Sequence, residues 1–163
     1  MSKRVHAYTL RDAPGHLIRR CQQRAVDLFV EEVGDDGPTP RQFAVLLYVY
    51  QHPGTSQTSL VQASGIDRST LTEILRRMIE RGLVSRTRLK EDMRANALIL
   101  TPAGEAALAS AFDAARRAQD RILEPLPADC RAGALELLAA LAGYANDEAA
   151  TSATSGNRPD AGE

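Results

Sequence analysis

A mainly α fold carrying one small β-hairpin is what the sequence predicts, and three observations predict it. Apolar residues recur at helical spacing along most of the chain, in stripes bounded by capping residues or glycines. The period changes once, between residues 83 and 100, where two short runs of strand formers flank a charged segment. No internal repeat and no apolar run of membrane-spanning length interrupts the pattern.

The first helix is expected after Pro14 and Gly15, where Leu17, Ile18, Cys21, Ala25, Leu28 and Phe29 recur at helical spacing until Gly34. The loop GDDGP breaks the chain. Thr39 with Gln42 forms a capping-box pattern with Pro40 at the first helical position, and Phe43, Leu46, Leu47 and Tyr50 supply an apolar face as far as His52-Pro53-Gly54. A short helix over 57–64 buries Leu60 and Val61 and stops at Gly65, where a left-handed residue costs little. Asp67 can cap the next helix, whose stripe of Leu71, Ile74, Leu75, Met78 and Ile79 runs toward Gly82. Its opposite face carries Arg68, Ser69, Thr72, Glu73 and Arg76. LVSRTRL and ALIL then read as a hairpin around KEDMRA. Thr101 and Pro102 start a long helix to about Leu123, on the order of 30 Å at ~1.5 Å per residue. A last helix is expected over roughly 129–148, followed by a tail with the composition of disorder.

At 163 residues the chain is long enough to bury a core without disulfides or a structural metal. Cys21 and Cys130 lie far apart and lack metal-ligand spacing, which predicts a reducing compartment. The opening MSKRVHAYTLRDAPGH lacks the apolar stretch of a signal peptide, so a soluble, cytoplasmic protein is expected. The net charge of -1 hides an uneven distribution. Residues 1–24 carry six Lys or Arg against one acid, residues 56–101 eight against five, and residues 102–163 five against ten. A local basic region on a nearly neutral chain suits nucleic acid bound through one surface. His6, His16 and His52 show no metal-ligand spacing, and no phosphate-cradling loop or nucleophile motif appears, so neither an enzyme nor a cofactor is expected.

Two short helices joined through Gly65, the second displaying hydroxyls and arginines opposite its apolar stripe, follow helix-turn-helix logic, in which the second helix enters the DNA major groove. The hairpin behind them would be the wing. The order helix, turn, recognition helix, wing and long helix is far more specific than the turn alone. TSLVQASGIDRSTLTEILRRMIERGLVSRTRLKEDMRANALILTPAGE resembles the winged helix-turn-helix core of MarR-family transcriptional regulators, and the flanking helices fit the family's order over nearly all of 14–148.

That resemblance implies a homodimeric DNA-binding regulator whose terminal helices build the dimer interface. It also implies a DNA affinity that falls when a small anionic, often aromatic, ligand binds. The expected organisation is a DNA-binding core over 39–101, a dimerisation region formed by 1–38 and 102–148, and a disordered tail over 149–163. Family wings commonly carry Asp-x-Arg, matched by Asp92 and Arg94, while Met93 departs from the frequent second arginine. The residues agree with this: a tip without glycine cannot easily make the tight turns that need positive φ, so side chains must hold a longer loop. Asp92 can accept from loop amides or orient Arg94, whose flat donor fork suits phosphate or a narrow minor groove. The expected DNA contacts are Arg68, Ser69, Thr70, Thr72 and Arg76 on the helix, Arg86 and Arg88 on the first strand, and Asp92 and Arg94 at the tip, whereas Arg77 and Arg81 could equally pair with Glu73 and Glu80 along the helix.

The terminal helices carry more apolar surface than a winged core can cover, and alanines at 106, 107, 109, 111, 114, 115 and 118 permit close helix approach, as in a symmetric dimer on a pseudo-palindromic site. An effector cleft between dimer helices and core would draw apolar walls from Phe29, Phe43, Tyr48 and Phe112. His16, Arg20 and Arg24 share one helical face, and such a row of cations either faces water or meets an anion. The expected effector is an aromatic carboxylate or its coenzyme A thioester, with control of aromatic-compound catabolism. The alternative uses Cys21 as a peroxide sensor, as in some members of the family, although its place on the apolar stripe favours an inert core residue.

Overall fold

The computed structural model describes residues 8–88 and 96–144, apart from the side chains of Arg88 and Asn96. After a 3-10 turn at Leu10–Asp12 come α1 (Pro14–Val33), α2 (Pro40–Gln51), α3 (Gln57–Ser64) and α4 (Arg68–Glu80). Then follow β1 (Val84–Arg88), β2 (Asn96–Leu100), α5 (Pro102–Leu123), a second 3-10 turn at Ala128–Cys130 and α6 (Arg131–Leu141). The mainly helical fold with a single hairpin is therefore present, and α6 is shorter than the expected 129–148, its C-cap falling at Ala142. The tail over 149–163 and the tip residues Asp92 and Arg94 lie outside the described residues.

Local chemistry sets the helix starts. At α2 the Thr39 hydroxyl accepts from the Gln42 amide at 3.3 Å while the Gln42 side chain accepts from the Thr39 amide at 3.0 Å, closing the capping box. Asp67 caps α4 through the Thr70 amide at 2.9 Å. Between α3 and α4, Gly65 adopts φ +64°, the left-handed conformation that lets the chain turn within three residues.

Two apolar clusters hold the first compact unit, which extends to Ile122. The larger joins Val45, Leu46 and Val49 of α2 to Leu60, Leu71, Leu75 and Met78 of the helix-turn-helix, with Val84 and Leu98 from the hairpin and Leu108 from α5. Each such side chain contributes about 1.5–3 kcal/mol on burial. The smaller sets Phe29 of α1 against Ala115 and Ala118 of α5. Phe43 packs against both clusters and meets the Phe29 ring at a centroid distance of 5.6 Å. The expectation that the α5 alanines serve a second copy is thus corrected for Ala115 and Ala118: they let α1 of the same chain approach.

β1 and β2 pair antiparallel, with Arg86 opposite Leu98 and Arg88 opposite Asn96. The far edge of β2 is also paired, because Leu98 exchanges backbone hydrogen bonds of 2.9 Å with Gly54 and Thr55. The segment expected only to end α2 therefore anchors the hairpin. α5 starts tight against the entry to β1: a Cβ on Gly104 would collide with the Leu83 carbonyl oxygen, and the Thr101 hydroxyl donates to the Gly82 carbonyl at 2.5 Å. In the second unit, α6 buries none of its residues and leaves Leu135, Leu137, Leu138 and Leu141 exposed. Among the described residues no helix is long and apolar enough to cross a membrane.

Candidate nucleic-acid interface and effector groove

The polar face of α4, the candidate DNA contact, is a hydrogen-bonded surface. Ser69 donates to Asp67 at 2.6 Å, and this bond together with the Thr70 amide holds the Asp67 carboxyl well below the usual carboxylate range. Thr72 donates its hydroxyl proton to the Arg68 carbonyl at 2.7 Å and accepts from the Gln57 amide nitrogen, also at 2.7 Å. Arg68 reaches the Thr58 hydroxyl at 3.5 Å. Gln57 and Thr58, on the first turn of α3, therefore belong to this face, although helical spacing within α4 could not point to them.

Arg76 is placed differently from the expectation that it is offered freely to DNA. Its Nε and Nη2 donate to Glu73 at 2.9 and 2.7 Å, and its Nη1 donates to Glu80 at 2.5 Å. Arg77 also donates to Glu73, at 2.7 Å, so Arg76 takes the role expected of Arg81. Arg76 first, then Arg77, pulls the Glu73 pKa down to about 2, and the paired Glu73 and Glu80 in turn raise that of Arg76. Arg86 is exposed on β1, two residues before the last position of the strand, Arg88. The structure thus brings Arg68, Ser69, Thr70, Thr72 and Arg76 onto one helix behind a wing strand, while Asp92 and Arg94 lie outside the described residues.

The seven expected effector residues do not converge. Phe43 and Tyr48 pack against the larger core, with Tyr48 against the His52 ring at 4.4 Å. Phe112 instead lines a cleft of about 580 Å³ with Leu47, Tyr50 and the acids Glu105 and Asp113. His16 stands on the same helix one turn before Arg20 and Arg24, accepts from Arg19 at 3.2 Å and does not line the cleft around those two arginines. Those two arginines do share a charged cleft of about 510 Å³, with Leu28, Arg121, Asp27 and Glu31. Cys21 is exposed, correcting its assignment to a buried stripe, and Leu17 and Ile18 beside it are about half exposed as well. Among the described residues the first half of α1 packs into no core, since Leu28 and Phe29 near its end are its buried residues.

A different groove joins the elements that matter. Phe29, Gln22 and Val26 of α1, Gln119 and Ile122 of α5, Pro40, Arg41 and Ala44 of α2 and the turn Ser64 to Asp67 line a cleft of about 380 Å³. Gln22, Val26, Pro40 and Arg41 also line an adjoining cleft of about 770 Å³ that ends on Ser69, Thr70, Glu73, Ile74 and Arg77 of α4. The two acids in this groove, Asp67 and Glu73, are already committed to partners on α4. Arg41 is exposed at the junction and has no side-chain partner among the described residues. It is the cation that sequence reasoning missed, because its value comes from where α1 lies rather than from its neighbours in the chain. Both volumes fall in the range of small-molecule sites. Among the described residues no cluster of His, Cys, Asp and Glu is arranged to hold a metal.

The MarR family model matches residues 39–95. The chain is 30% identical over 131 residues to the HTH-type transcriptional repressor NicR of Pseudomonas putida, covering 80% of this chain and 83% of NicR. Its fold matches the PcaV transcriptional regulator of Streptomyces coelicolor, solved with its natural ligand, at a TM-score of 0.76 and 33% identity over 85% of this chain and 98% of PcaV. It also matches the transcriptional repressor CouR bound to a 23-mer DNA duplex, at a TM-score of 0.73 and 37% identity over 82% of this chain and 94% of CouR. CouR has been solved with p-coumaroyl-CoA too, at 36% identity. With the helix-turn-helix, the wing and the long α5 all in the family's order, this chain belongs to the MarR family of transcriptional regulators.

Proposed function

We propose that this chain is a homodimeric repressor that binds a pseudo-palindromic operator and releases it when an aromatic carboxylate or its coenzyme A thioester binds, controlling the catabolism of aromatic compounds. The groove carries the reading: it starts between the long helices α1 and α5 and ends on the hydroxyls of α4. A ligand seated there touches the dimer helices, the Gly65 turn and the recognition helix together. It shifts the protein away from the DNA-bound arrangement only through its different affinity for the two states. Relatives that bind p-coumaroyl-CoA or a natural ligand in complexes of the same fold support this effector class.

Arg41 supplies the positive handle for the effector's carboxylate or phosphates, while Arg20 and Arg24 offer a separate anion-binding cleft on the other face of α1. An aromatic acid fits the smaller cleft, and a thioester extends into the larger one. Exposed Leu17 and Ile18 on α1, and the exposed leucines of α6, are the surfaces that a second copy covers. Two α4 helices then stand about 34 Å apart, one turn of DNA. Arg86, Arg88 and Arg94 of the wing meet phosphate or the minor groove, while α4 enters the major groove.

The test is fluorescence anisotropy with duplexes from the region upstream of the protein's own gene, followed by a thermal-shift screen of aromatic acids and thioesters. Salt-dependent, sequence-selective binding that a hit from the screen reverses is the expected result. A monomer in sedimentation at micromolar concentration, or no preference for any duplex, contradicts it. The exposure of Cys21 supports a second reading, in which peroxide oxidises the thiol to a sulfenic acid and DNA is released. Peroxide-induced release that Cys21→Ser abolishes would favour that reading over the first.

A further inference from the structure

We infer that Gln57, on α3 rather than on the recognition helix, reads an adenine of the operator through its side-chain amide, held in register by Thr72. The inference rests on the DNA-binding reading above, and starts from the hydrogen-bonding capacity of one hydroxyl. Thr72 Oγ1 has one proton to give. It gives it to the Arg68 carbonyl at 2.7 Å, so toward Gln57, also at 2.7 Å, the same oxygen can only accept. That fixes the orientation of the Gln57 amide, a choice that geometry alone often leaves open. Its nitrogen faces Thr72, and when the N–H anti to the carbonyl is the one given to Thr72, the syn N–H and the carbonyl oxygen stand side by side, without other partners among the described residues.

A donor beside an acceptor on one planar amide matches the major-groove edge of adenine, where N7 accepts and the N6 amino group donates. Guanine offers two acceptors there, and cytosine a donor alone. Thr72 changes role at the same time. Its one proton is given to the Arg68 carbonyl, so it can no longer donate to a base, and its methyl group is the apolar partner of a thymine 5-methyl. The two residues, 15 apart in sequence and on different helices, together select A·T. Holding the glutamine before DNA arrives also removes part of the cost of ordering a flexible side chain on binding.

The experiment measures the full-length protein against an operator series in which each base pair of one half-site is replaced in turn, and against duplexes carrying 7-deazaadenine. For wild type, one A·T pair is expected to lose roughly tenfold or more in affinity on replacement, the discrimination a bidentate contact supplies, with 7-deazaadenine reproducing most of that loss. Gln57→Ala is expected to bind all bases at that pair equally while keeping wild-type preferences elsewhere. Thr72→Val, which keeps the shape but loses the acceptor, relaxes the same position part of the way. Where Gln57→Ala fails to fold by circular dichroism, Gln57→Glu serves instead, and its acceptor-only carboxylate moves preference at that pair from adenine toward cytosine. A uniform loss across all sequences with a shallower salt dependence would mark Gln57 as a phosphate contact and overturn the inference, as would an unchanged preference profile. A wild-type protein that prefers no sequence over scrambled DNA overturns the DNA-binding reading itself.

Discussion

On α4, Glu73 joins Arg76 and Arg77 within one turn of helix, whereas Glu32 of α1 joins Arg117 and Arg121 of α5 across 85 and 89 residues of chain. The chemistry is the same and the consequence is not. Glu73 is about half exposed, at 46%, and its partners share its helix, so the cluster is screened by water and salt and orders nothing beyond its own side chains. Glu32 is 18% exposed, with Arg117 at 3.0 Å and Arg121 at 2.8 Å, and lies on the same pair of helices as the seam of Phe29, Ala115 and Ala118. It ties the two helices that flank the proposed effector groove. Ion pairs of equal geometry thus aim arginines in one place and fix helix position in the other.

Removing the seam itself should show the largest effect. Phe29→Ala is expected to cost about 3–5 kcal/mol in urea denaturation, as for other buried aromatic truncations. A loss below about 1 kcal/mol would mean that the α1–α5 seam contributes little and that the comparison is misplaced.

Glu32→Gln should come next. Arg117 and then Arg121 hold the Glu32 carboxyl below its ordinary value of 4.5. Its contribution is therefore complete above that pH and fades as acid protonates the folded protein. The variant should melt below wild type at pH 7, with the gap closing in acid. It should also need less effector to release DNA, because α1 is less firmly fixed. A gap that is constant with pH would remove the ionic explanation.

Glu73→Gln should change stability least and DNA binding most tellingly. With a folded pKa of about 2 against an ordinary 4.5, whatever stability Glu73 adds is present above pH 4.5 and is lost as the pH falls through about 2. Once freed, Arg76 and Arg77 can reach phosphates, so binding to scrambled DNA should strengthen and its salt dependence steepen by about one counterion per new contact. An unaltered slope would mean that Glu73 does not restrain them.

The parts of this molecule that were legible in the sequence are the local ones. Thr39 with Gln42, Asp67 before α4, Gly65 in the turn and Thr101 before α5 each act within a few residues, and each stands where its neighbours require. What escaped depends on distant segments meeting. Thr55 pairs with β2, Gln57 meets Thr72, and Arg41 gains meaning only beside Gln22 and Val26 of α1. Helical periodicity also misled where it was not wrong: Leu17, Ile18 and Cys21 do share a stripe with Leu28, but the stripe outruns the core of its own chain. Ala115 and Ala118, small enough for any close approach, were spent on α1.

The proposed effector groove ends on α4 with Arg41 at its junction, so effector-driven release of a labelled operator should depend on Arg41. Wild type, Arg41→Ala and the Arg20→Ala, Arg24→Ala double variant would be compared with one aromatic acid and its coenzyme A thioester at fixed salt. Arg41→Ala is expected to bind DNA as wild type does but to need at least about tenfold more of either effector, the loss expected of a charge-assisted contact. The double variant tests the separate cleft on the other face of α1, and its release at the wild-type concentration of both effectors would assign Arg20 and Arg24 to a solvated surface. Release of Arg41→Ala at the wild-type effector concentration would mean that Arg41 does not anchor the effector.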